Sequence, residues 1–360
     1  MGVLALVVMT AAAAEYNVVG YGARPGGRED SAPAFLAACN DTGRSAPVVR
    51  VPAGTFLVSR AYFGGPCRSA AGVVVAVDGT VVAPAAVDST TWIQFHYAHG
   101  LKIRGGTLDG NGMTLDISQS NNVSVRRLTL LNSKNVHLAI FDCTGVTLRG
   151  VRIAAPADSP NTDGVHVQLS RGVRVLGATV GTGDDCVSLG PGTSNVLVRN
   201  IRCGPGHGIS IGSLGGDAAG EAPVRNVTVE GAALTGTQNG MRIKTWGRPN
   251  RGLVAGVSFA RVTMRGVRNP AVVDQNYCPS NVNCPGESSG VKISGVEYAD
   301  IEGTSATPVA VRFDCSGSNP CTRITLKNIN LTYEGKPAKS FSYAHGLAAG
   351  VVRPPSCLSS

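Results

Sequence analysis

Residues Leu101–Leu108 read LKIRGGTL, and residues Val123–Leu130 repeat the same pattern as VSVRRLTL. Apolar residues occupy the first and third positions of this pattern and, in most copies, the sixth. A second short apolar-polar-apolar strand follows inside many units, as in Val165-His166-Val167. Nine copies of the eight-residue pattern follow one another at intervals of 22 to 34 residues, and they begin at Leu101, Val123, Val146, Val173, Val196, Val227, Val257, Val291 and Ile324.

This repeat predicts an all-β solenoid. Alternation of apolar with polar residues over three to five positions indicates a strand with one buried face, and a unit of about 22 residues is too short to pack alone. Stacked units solve the problem, because each strand then pairs with the strands above and below at ~4.8 Å. A β-sandwich would require frequent two-residue Asn-Gly or Asp-Gly turns, which are not the rule here. We therefore expect a right-handed parallel β-helix.

The N-terminal region carries two further signals. Met1–Ala14 is apolar and ends in small residues before Glu15, which is typical of a signal peptide, although no Lys or Arg precedes the apolar run. An N-terminal strand is the alternative for this stretch. Ser31–Asn40 (SAPAFLAACN) predicts a helix that covers the first coil, with Ser31 as the N-cap and Pro33 in the first turn. Residues 15–360 are then expected to form one domain.

The cysteines favour secretion. Ten cysteines that include several close pairs, without a metal-type Cys-x-x-Cys, indicate disulfides and an oxidising compartment. Four Asn-x-Ser/Thr sequons, at Asn40, Asn122, Asn226 and Asn330, are compatible with that location. Cys143 and Cys357 have no obvious partner. The expected bridges are Cys39–Cys67, Cys186–Cys203, Cys278–Cys284 and Cys315–Cys321.

Composition and charge restrict the partners. The chain has 47 glycines among 360 residues and few aromatics, which suits short strands joined by tight turns. A formal charge of +9 favours polyanionic partners. The sequence lacks a Lys/Arg run, a helix-turn-helix pattern and an aromatic-rich RNA-binding strand, which argues against nucleic acid. Beyond the N-terminus no segment approaches the ~18 apolar residues of a membrane span.

Alignment of the second strands brings polar residues into one column. Asp163, Asp185 and His207 each lie two positions before the apolar residues Val165, Val187 and Ile209, at spacings of 22 and 22. Equal offsets place them one coil apart, ~4.8 Å, on the outside of the solenoid. Asp184 sits beside this column. Farther along, Met241 and Ile243 should point inward, so that Arg242 and Lys244 point outward on the same face.

These residue types suit the hydrolysis of a sugar acetal with inversion. That reaction needs a protonated carboxyl on the leaving oxygen and a carboxylate that activates water on the opposite side. Asp163 and Asp185 could hold the water while Asp184 serves as the acid, and crowded carboxyls help to retain a proton. His207 would bond to the acid. Arg242 and Lys244 offer donors for a uronic carboxylate.

Two simpler interpretations compete. The Gly-Asp-Asp and Gly-His-Gly segments could be ordinary turns, since Gly and Asp populate bends. The carboxylates could also bind Ca²⁺, although a calcium site would be expected to have more acidic and carbonyl ligands, and Lys244 disfavours it. The position of all these residues in one column, beside an outward Arg and Lys, favours the catalytic interpretation.

At these residues the sequence resembles the polygalacturonases of glycoside hydrolase family 28, particularly the plant members. The motifs that carry the resemblance extend from Tyr21-Gly22-Ala23 through Gly106–Gly110 to Pro320-Cys321. The central ones, in chain order, are Asn161-Thr162-Asp163, Gly183-Asp184-Asp185, Gly206-His207-Gly208, Arg242-Ile243-Lys244 and Tyr277.

The resemblance implies hydrolysis of α-1,4-galacturonan with inversion, without a metal or organic cofactor. By matching position, Asp184 would be the general acid, Asp163 and Asp185 the water-activating pair, and His207 their ionisation partner. Asn161, Arg242, Lys244 and Tyr277 would bind substrate. The expected setting is a secreted monomer in the plant cell wall that acts on pectin, with no nucleic-acid or membrane partner.

The chain departs from the family pattern in two places, and two other functions stay open. The segment after Gly112 is shorter than in plant members, which bears on substrate length and activity. Ser342 stands about where many relatives have a cysteine, so that Cys357 loses its partner. The alternatives are a pectin-binding wall protein with impaired catalysis and a Ca²⁺-dependent pectate lyase, which can share this solenoid. Endo or exo cleavage does not follow from the sequence.

Overall fold

The computed structural model describes residues 14–43, 47–65, 67, 69, 72–85, 91–216, 220–279 and 282–359. Except for Ala14, the predicted signal peptide lies outside these residues. Within them, strands form two long sheets whose pairings are all parallel apart from one antiparallel pair near the C-terminus, between Cys321–Tyr333 and Lys336–Pro337. The chain is a right-handed parallel β-helix, as the repeat predicts.

One sheet, the cleft sheet, contains the predicted second strands. Within the described part of the chain its eleven strands are Ala61–Gly64, Thr91–His96, Thr114–Ser118, Leu138–Phe141, Val165–Gln168, Asp185–Leu189, Gly208–Leu214, Asn239–Trp246, Asn269–Tyr277, Val309–Asp314 and Lys339–Ser342.

The other sheet, the flank sheet, contains the eight-residue repeats. In early coils each repeat forms two short strands joined at a corner, and in late coils it forms one long bent strand. Its strands in the described residues are Glu15–Asn17, Val48–Val51, Thr55–Leu57, Val74–Val77, Thr80–Val82, Lys102–Arg104, Thr107–Asp109, Asn121–Arg126, Thr129–Leu131, Thr144–Arg149, Arg152–Ala154, Arg174–Leu176, Thr179–Gly181, Ser194–Arg199, Arg202–Cys203, Val224–Glu230, Ala233–Thr235, Gly252–Val267, Val291–Ser305, Cys321–Tyr333, Lys336–Pro337 and Ala344–Arg353.

The core is a set of apolar columns along the solenoid axis. Val165 pairs with Val187, Val187 with Ile209 and Ile209 with Met241, and all four side chains are fully buried. A slip of one residue would turn these side chains to the solvent, so the alternating pattern holds neighbouring coils in register. This register determines which polar residues meet on the outer surface.

A helix covers the N-terminal end of the solenoid. It runs from Ala32 to Asn40, with Ser31 at the N-cap position as predicted. The side chain of Ser31 makes no capping bond, and Asp30 Oδ1 accepts the hydrogen bond of the Ala32 amide instead. A short 3-10 helix, Val18–Tyr21, precedes it. Phe35 packs edge-on against Phe56 at 6.3 Å between ring centroids, which seals the first coils.

The four expected disulfides are all formed, between Cys39 and Cys67, Cys186 and Cys203, Cys278 and Cys284, and Cys315 and Cys321. Cys143 is free and buried, and Cys357 is free and partly buried, as expected. No helix of the described residues combines the length and apolar character needed to cross a membrane.

Candidate active site

The start of three consecutive cleft strands carries the predicted acidic cluster. The Gly164 amide donates to the Asp185 carbonyl at 2.8 Å, and the His137 amide donates to the Asp163 carbonyl at 2.8 Å. These bonds place Asp163 and Asp185 on adjacent coils, as their spacing of 22 residues predicts. The cluster opens into a cavity of about 930 Å³.

The cavity collects most of the predicted site residues. Asp185 lies beneath its surface, with a side chain only 1% exposed. The predicted residues that line the cavity are Asn161, Asp163, Asp184, His207, Arg242, Lys244 and Tyr277.

His207 occupies a different place from the one predicted. We expected it above Asp185, in the same column, but a register irregularity between Asp185 and Val187 pairs Asp185 with Gly208. His207 therefore lies against Asp184. Its amide donates to the Asp184 carbonyl at 2.8 Å, and its Nδ1 is 2.9 Å from Asp184 Oδ1. The expected contact between His207 and the candidate acid Asp184 is therefore present, but it depends on a bulge that the sequence spacing did not predict.

Asp185 is the buried centre of an ion-pair network. Lys244 Nζ lies 2.8 Å from its Oδ2, and Arg242 Nη2 lies 3.1 Å from its Oδ1. Ser210 Oγ donates to the same Oδ1 at 2.6 Å. Both cations extend from the outer face of the cleft sheet, as predicted. The side chain of Arg242 is only 12% exposed and that of Lys244 only 10%. Three donors therefore compensate the burial of this carboxylate.

Asp163 is held by a different hydrogen-bond chain. Ser188 Oγ donates to Asp163 Oδ2 at 2.5 Å and lies 2.8 Å from His166 Nδ1. Burial, followed by the negative charges of Asp185 and Asp184, raises the pKa of Asp163 from 3.8 to about 7. The Ser188 hydrogen bond and the charge of Lys244 oppose this rise but do not outweigh it. Asp163 therefore retains a proton to a higher pH than an ordinary aspartate does.

Asp184 has the opposite electrostatic balance. Burial acts to raise the pKa of its carboxyl, but the hydrogen bond and charge of His207, helped by Lys244, lower the pKa below its ordinary value of 3.8. Asp184 Oδ1 also accepts the amide hydrogen of Asp185 at 2.8 Å. Neighbouring carboxyls thus have pKa values displaced in opposite directions, an arrangement typical of acid–base catalytic sites.

An aromatic side chain covers the two cations. Lys244 Nζ lies 5.3 Å and the Arg242 guanidinium 5.8 Å from the centroid of the Tyr277 ring. Trp246 supports the ring edge-on, at 5.4 Å between centroids. The two cations therefore lie between the buried Asp185 carboxylate and an aromatic face that lines the cavity. Asn161 also lines the cavity, and its side chain is exposed.

Sequence reasoning missed three polar residues of this site: His166, Ser188 and Ser210. Each is the middle residue of an apolar-polar-apolar strand, so the alternation that buries its neighbours also turns it outward. The three are consecutive members of one column, and Arg242 is the next member. The signal was therefore present in the pattern, since the polar members of this column in the coils of the aspartates point to the same outer surface.

Asp184, Asp185 and His207 could also be considered as metal ligands, because one ligand atom from each lies within 4.8 Å of the others. Asp185, however, already accepts hydrogen bonds from Lys244 and Arg242. A metal ion at this position would meet two positive charges at close range. The donor set therefore fits a carboxylate neutralised by protein cations better than a metal centre.

Comparisons with known proteins agree with this geometry. The family model of glycosyl hydrolases family 28 matches residues 39–351. A polygalacturonase from Prunus persica is 48% identical over 368 residues, which cover 95% of this chain and 93% of that relative. An exopolygalacturonase from Platanus acerifolia is 38% identical and covers 89% of this chain and 90% of its own.

Solved structures share the fold. An endo-xylogalacturonan hydrolase from Aspergillus tubingensis superposes with a TM-score of 0.82 at 22% identity, over 94% of this chain and 99% of its own. A polygalacturonase from Erwinia carotovora gives a TM-score of 0.71 at 24% identity, over 93% and 99% of the two chains. On the strength of the family match over most of its length, the chain belongs to glycosyl hydrolases family 28.

Proposed function

We propose that this chain is a polygalacturonase that hydrolyses α-1,4-galacturonosyl linkages of pectin with inversion. The observation that carries the proposal is the cluster of three carboxyls in the cleft, in which the pKa of Asp163 is raised and that of Asp184 is lowered, together with two cations beneath an aromatic ring. The names of the relatives from Prunus persica and Platanus acerifolia support the substrate class.

The proposed roles follow the geometry. Asp184 gives its proton to the leaving glycosidic oxygen as the bond between that oxygen and the anomeric carbon breaks. The hydrogen bond between His207 Nδ1 and Asp184 Oδ1 holds the Asp184 carboxyl in position for this transfer. Water attacks the anomeric carbon from the opposite side, and its proton passes to the pair Asp163 and Asp185.

The carboxylates require different protonation states during one turnover. Asp163 accepts a proton from water only as a carboxylate, so its raised pKa predicts that activity increases as the pH rises towards about 7. Afterwards the proton returns to Asp184 through solvent and the cycle restarts. The negative charge of Asp184 contributes to the raised pKa of Asp163, so an apparent pKa of the pH–rate profile belongs to interacting groups rather than to one residue.

Arg242, Lys244, Tyr277 and Asn161 are the proposed substrate ligands. A uronic carboxylate that approaches the cavity meets Arg242 and Lys244, whose remaining N–H groups suit planar oxygens. The face of Tyr277 offers an apolar surface to the sugar ring. Asp185 holds both cations in place from below, so it links substrate binding to the carboxyl cluster.

The proposal includes secretion to the cell wall. The four disulfides, which lie at both ends and in the middle of the solenoid, support an oxidising environment. The expected monomer and the cleavage of Met1–Ala14 stay predictions.

The decisive experiment measures reducing ends released from polygalacturonic acid by the parent chain and by Asp184→Asn. The variant should lose activity by about 10² to 10⁴-fold with an unchanged circular dichroism spectrum, whereas the control Asp142→Asn, away from the cavity, should match the parent. Equal turnover by Asp184→Asn would reject the assignment. An ultraviolet-absorbing unsaturated product, or inhibition by a chelator, would indicate a lyase instead.

A further inference from the structure

One column of the flank sheet carries three arginines in direct register. Arg104 pairs with Arg126, and Arg126 pairs with Arg149, at the ends of three successive flank strands. Their side chains are exposed and, in the coil geometry, about 4.8 Å separates one backbone from the next. We call these three residues the arginine row. It belongs to the flank sheet, and the residues that line the cleft cavity do not include it.

Other arginines of the same column form ion pairs with carboxylates. One end of the column holds Arg50, which forms ion pairs with Glu15 and Asp78. On the C-terminal side of the three arginines, Arg199 and Glu230 are paired neighbours in the column, and Glu230 also binds Arg261. Arg104, Arg126 and Arg149 have no such carboxylate among the described residues, and the one side-chain bond there goes from Arg126 Nε to the Ser124 hydroxyl, at 3.1 Å.

Two more cations extend the positive surface. Lys102 and Arg174 lie in the adjacent outward column, which Ser124 and Thr147 complete between them. Both side chains are exposed. Like charges placed directly opposite one another on neighbouring strands are destabilising, so the row does not serve the stability of the sheet. A linear polyanion along the solenoid axis would remove the repulsion and release bound counterions.

We propose that the arginine row is an anchoring site for an acidic polysaccharide, separate from the cleft. The row is straight and evenly spaced, which suits an extended chain with repeated carboxylates, and guanidinium groups bind planar carboxylates bidentately. No large exposed hydrophobic or aromatic residue of the described chain lies in this column, whereas nucleic-acid strands are held by aromatic stacking between basic residues. The polymer class is that of the proposed function, but the site uses other residues.

The test measures binding to immobilised polygalacturonic acid in an Asp184→Asn background, so that the polymer stays intact. The triple variant Arg104→Gln, Arg126→Gln, Arg149→Gln should bind about tenfold more weakly and with a shallower salt dependence. A matched triple, Arg265→Gln, Lys292→Gln, Lys336→Gln, removes the same charge from exposed positions outside this column and should bind as the parent does. Arg-to-Lys changes at the row should retain most of the binding.

The outcomes separate this proposal from the proposed function. Equal losses of binding in both triple variants would show an effect of net charge alone and would overturn the proposed site. The site would also be overturned if the row bound single-stranded DNA or anionic vesicles more tightly than polygalacturonic acid. With Asp184 intact, the row variant should hydrolyse short oligogalacturonides at the parent rate. If the parent hydrolyses nothing and the row variant still loses binding, the anchoring site stands and the polygalacturonase proposal fails.

Discussion

The cleft and the arginine row both place cations on neighbouring coils, but they do so in opposite surroundings. In the cleft, Arg242 and Lys244 are almost fully buried and share one carboxylate, Asp185. In the row, Arg104, Arg126 and Arg149 are exposed and face no carboxylate of the described chain. A buried charge is costly unless an opposite charge compensates for its lost hydration, whereas water and salt screen an exposed charge. The same solenoid spacing therefore yields a buried ion-pair network at the candidate active site in one sheet and an exposed row of unpaired cations in the other.

The largest effect should follow the loss of the buried carboxylate. Asp185→Asn leaves two buried cations without their counter-charge, so we expect activity to fall by about 10² to 10⁴-fold and the free energy of unfolding to fall by about 3 kcal/mol. Urea denaturation and initial rates check both values. Asp78→Asn, which breaks the exposed pair with Arg50, is the control and should change stability by less than about 1 kcal/mol. Similar losses of stability in Asp185→Asn and Asp78→Asn would contradict the view that the buried ion pairs matter more than the exposed ones.

The next effect concerns pH. The pKa of Asp163 rises from 3.8 to about 7 on folding, so the native state binds this proton more tightly than the unfolded chain. The resulting stability is fully present below about pH 4 and is lost as the pH rises to about 7. Asp163→Asn should remove this dependence, which amounts to a change on the order of 3 kcal/mol between the two pH values. Urea denaturation across that range measures it, and parallel curves for parent and variant would refute it.

Asp184, in the same site, should change the pH dependence of stability in the opposite direction. Its pKa is lowered on folding, chiefly because the bond to His207 outweighs burial, so its contribution to stability is present above its unfolded pKa and is lost as the pH falls further. The Asp163→Asn variant should keep this acid-side loss, which makes it an internal control for the measurement.

A smaller effect should follow the loss of the serine that holds Asp163. The Ser188 hydrogen bond lowers the pKa of Asp163, so Ser188→Ala should raise that pKa further and move the acidic limb of the pH–rate profile to higher pH. At a fixed weakly acidic pH we expect about tenfold lower activity, recovered in part at higher pH. Ser294→Ala, a hydroxyl of the flank sheet bonded to Thr322, is the matched control. A uniform loss at every pH would assign Ser188 a purely structural role.

The smallest effect should come from the arginine row itself. Replacement of Arg104, Arg126 and Arg149 by Gln relieves like-charge repulsion, so the free energy of unfolding should stay within about 0.5 kcal/mol of the parent value or rise slightly. Glu230→Gln, which leaves Arg199 and Arg261 without their shared carboxylate, should lower it by less than about 1 kcal/mol. Urea denaturation distinguishes these signs. A loss above about 2 kcal/mol in the row variant would mean that the arginines support the fold.

The sequence alone determined the solenoid and its register. Alternating apolar residues can be buried in only one register, so the repeat that begins at Leu101 predicts which coils lie next to each other and brings Asp163 beside Asp185. The same reasoning correctly turned Arg242 and Lys244 outward, and close sequence spacing indicated all four disulfides.

Only the tertiary structure decided which polar atoms meet. The bulge between Asp185 and Val187 depends on local backbone packing and carries no apolar signal, yet it moves His207 from Asp185 to Asp184. The partners of Asp185 lie 25 to 59 residues away in the chain, and the unpaired state of the arginine row likewise depends on which side chains neighbouring coils present. Apolar periodicity is a property of each strand and can be read locally, whereas hydrogen bonds and ion pairs are formed between coils and exist only once the solenoid has closed.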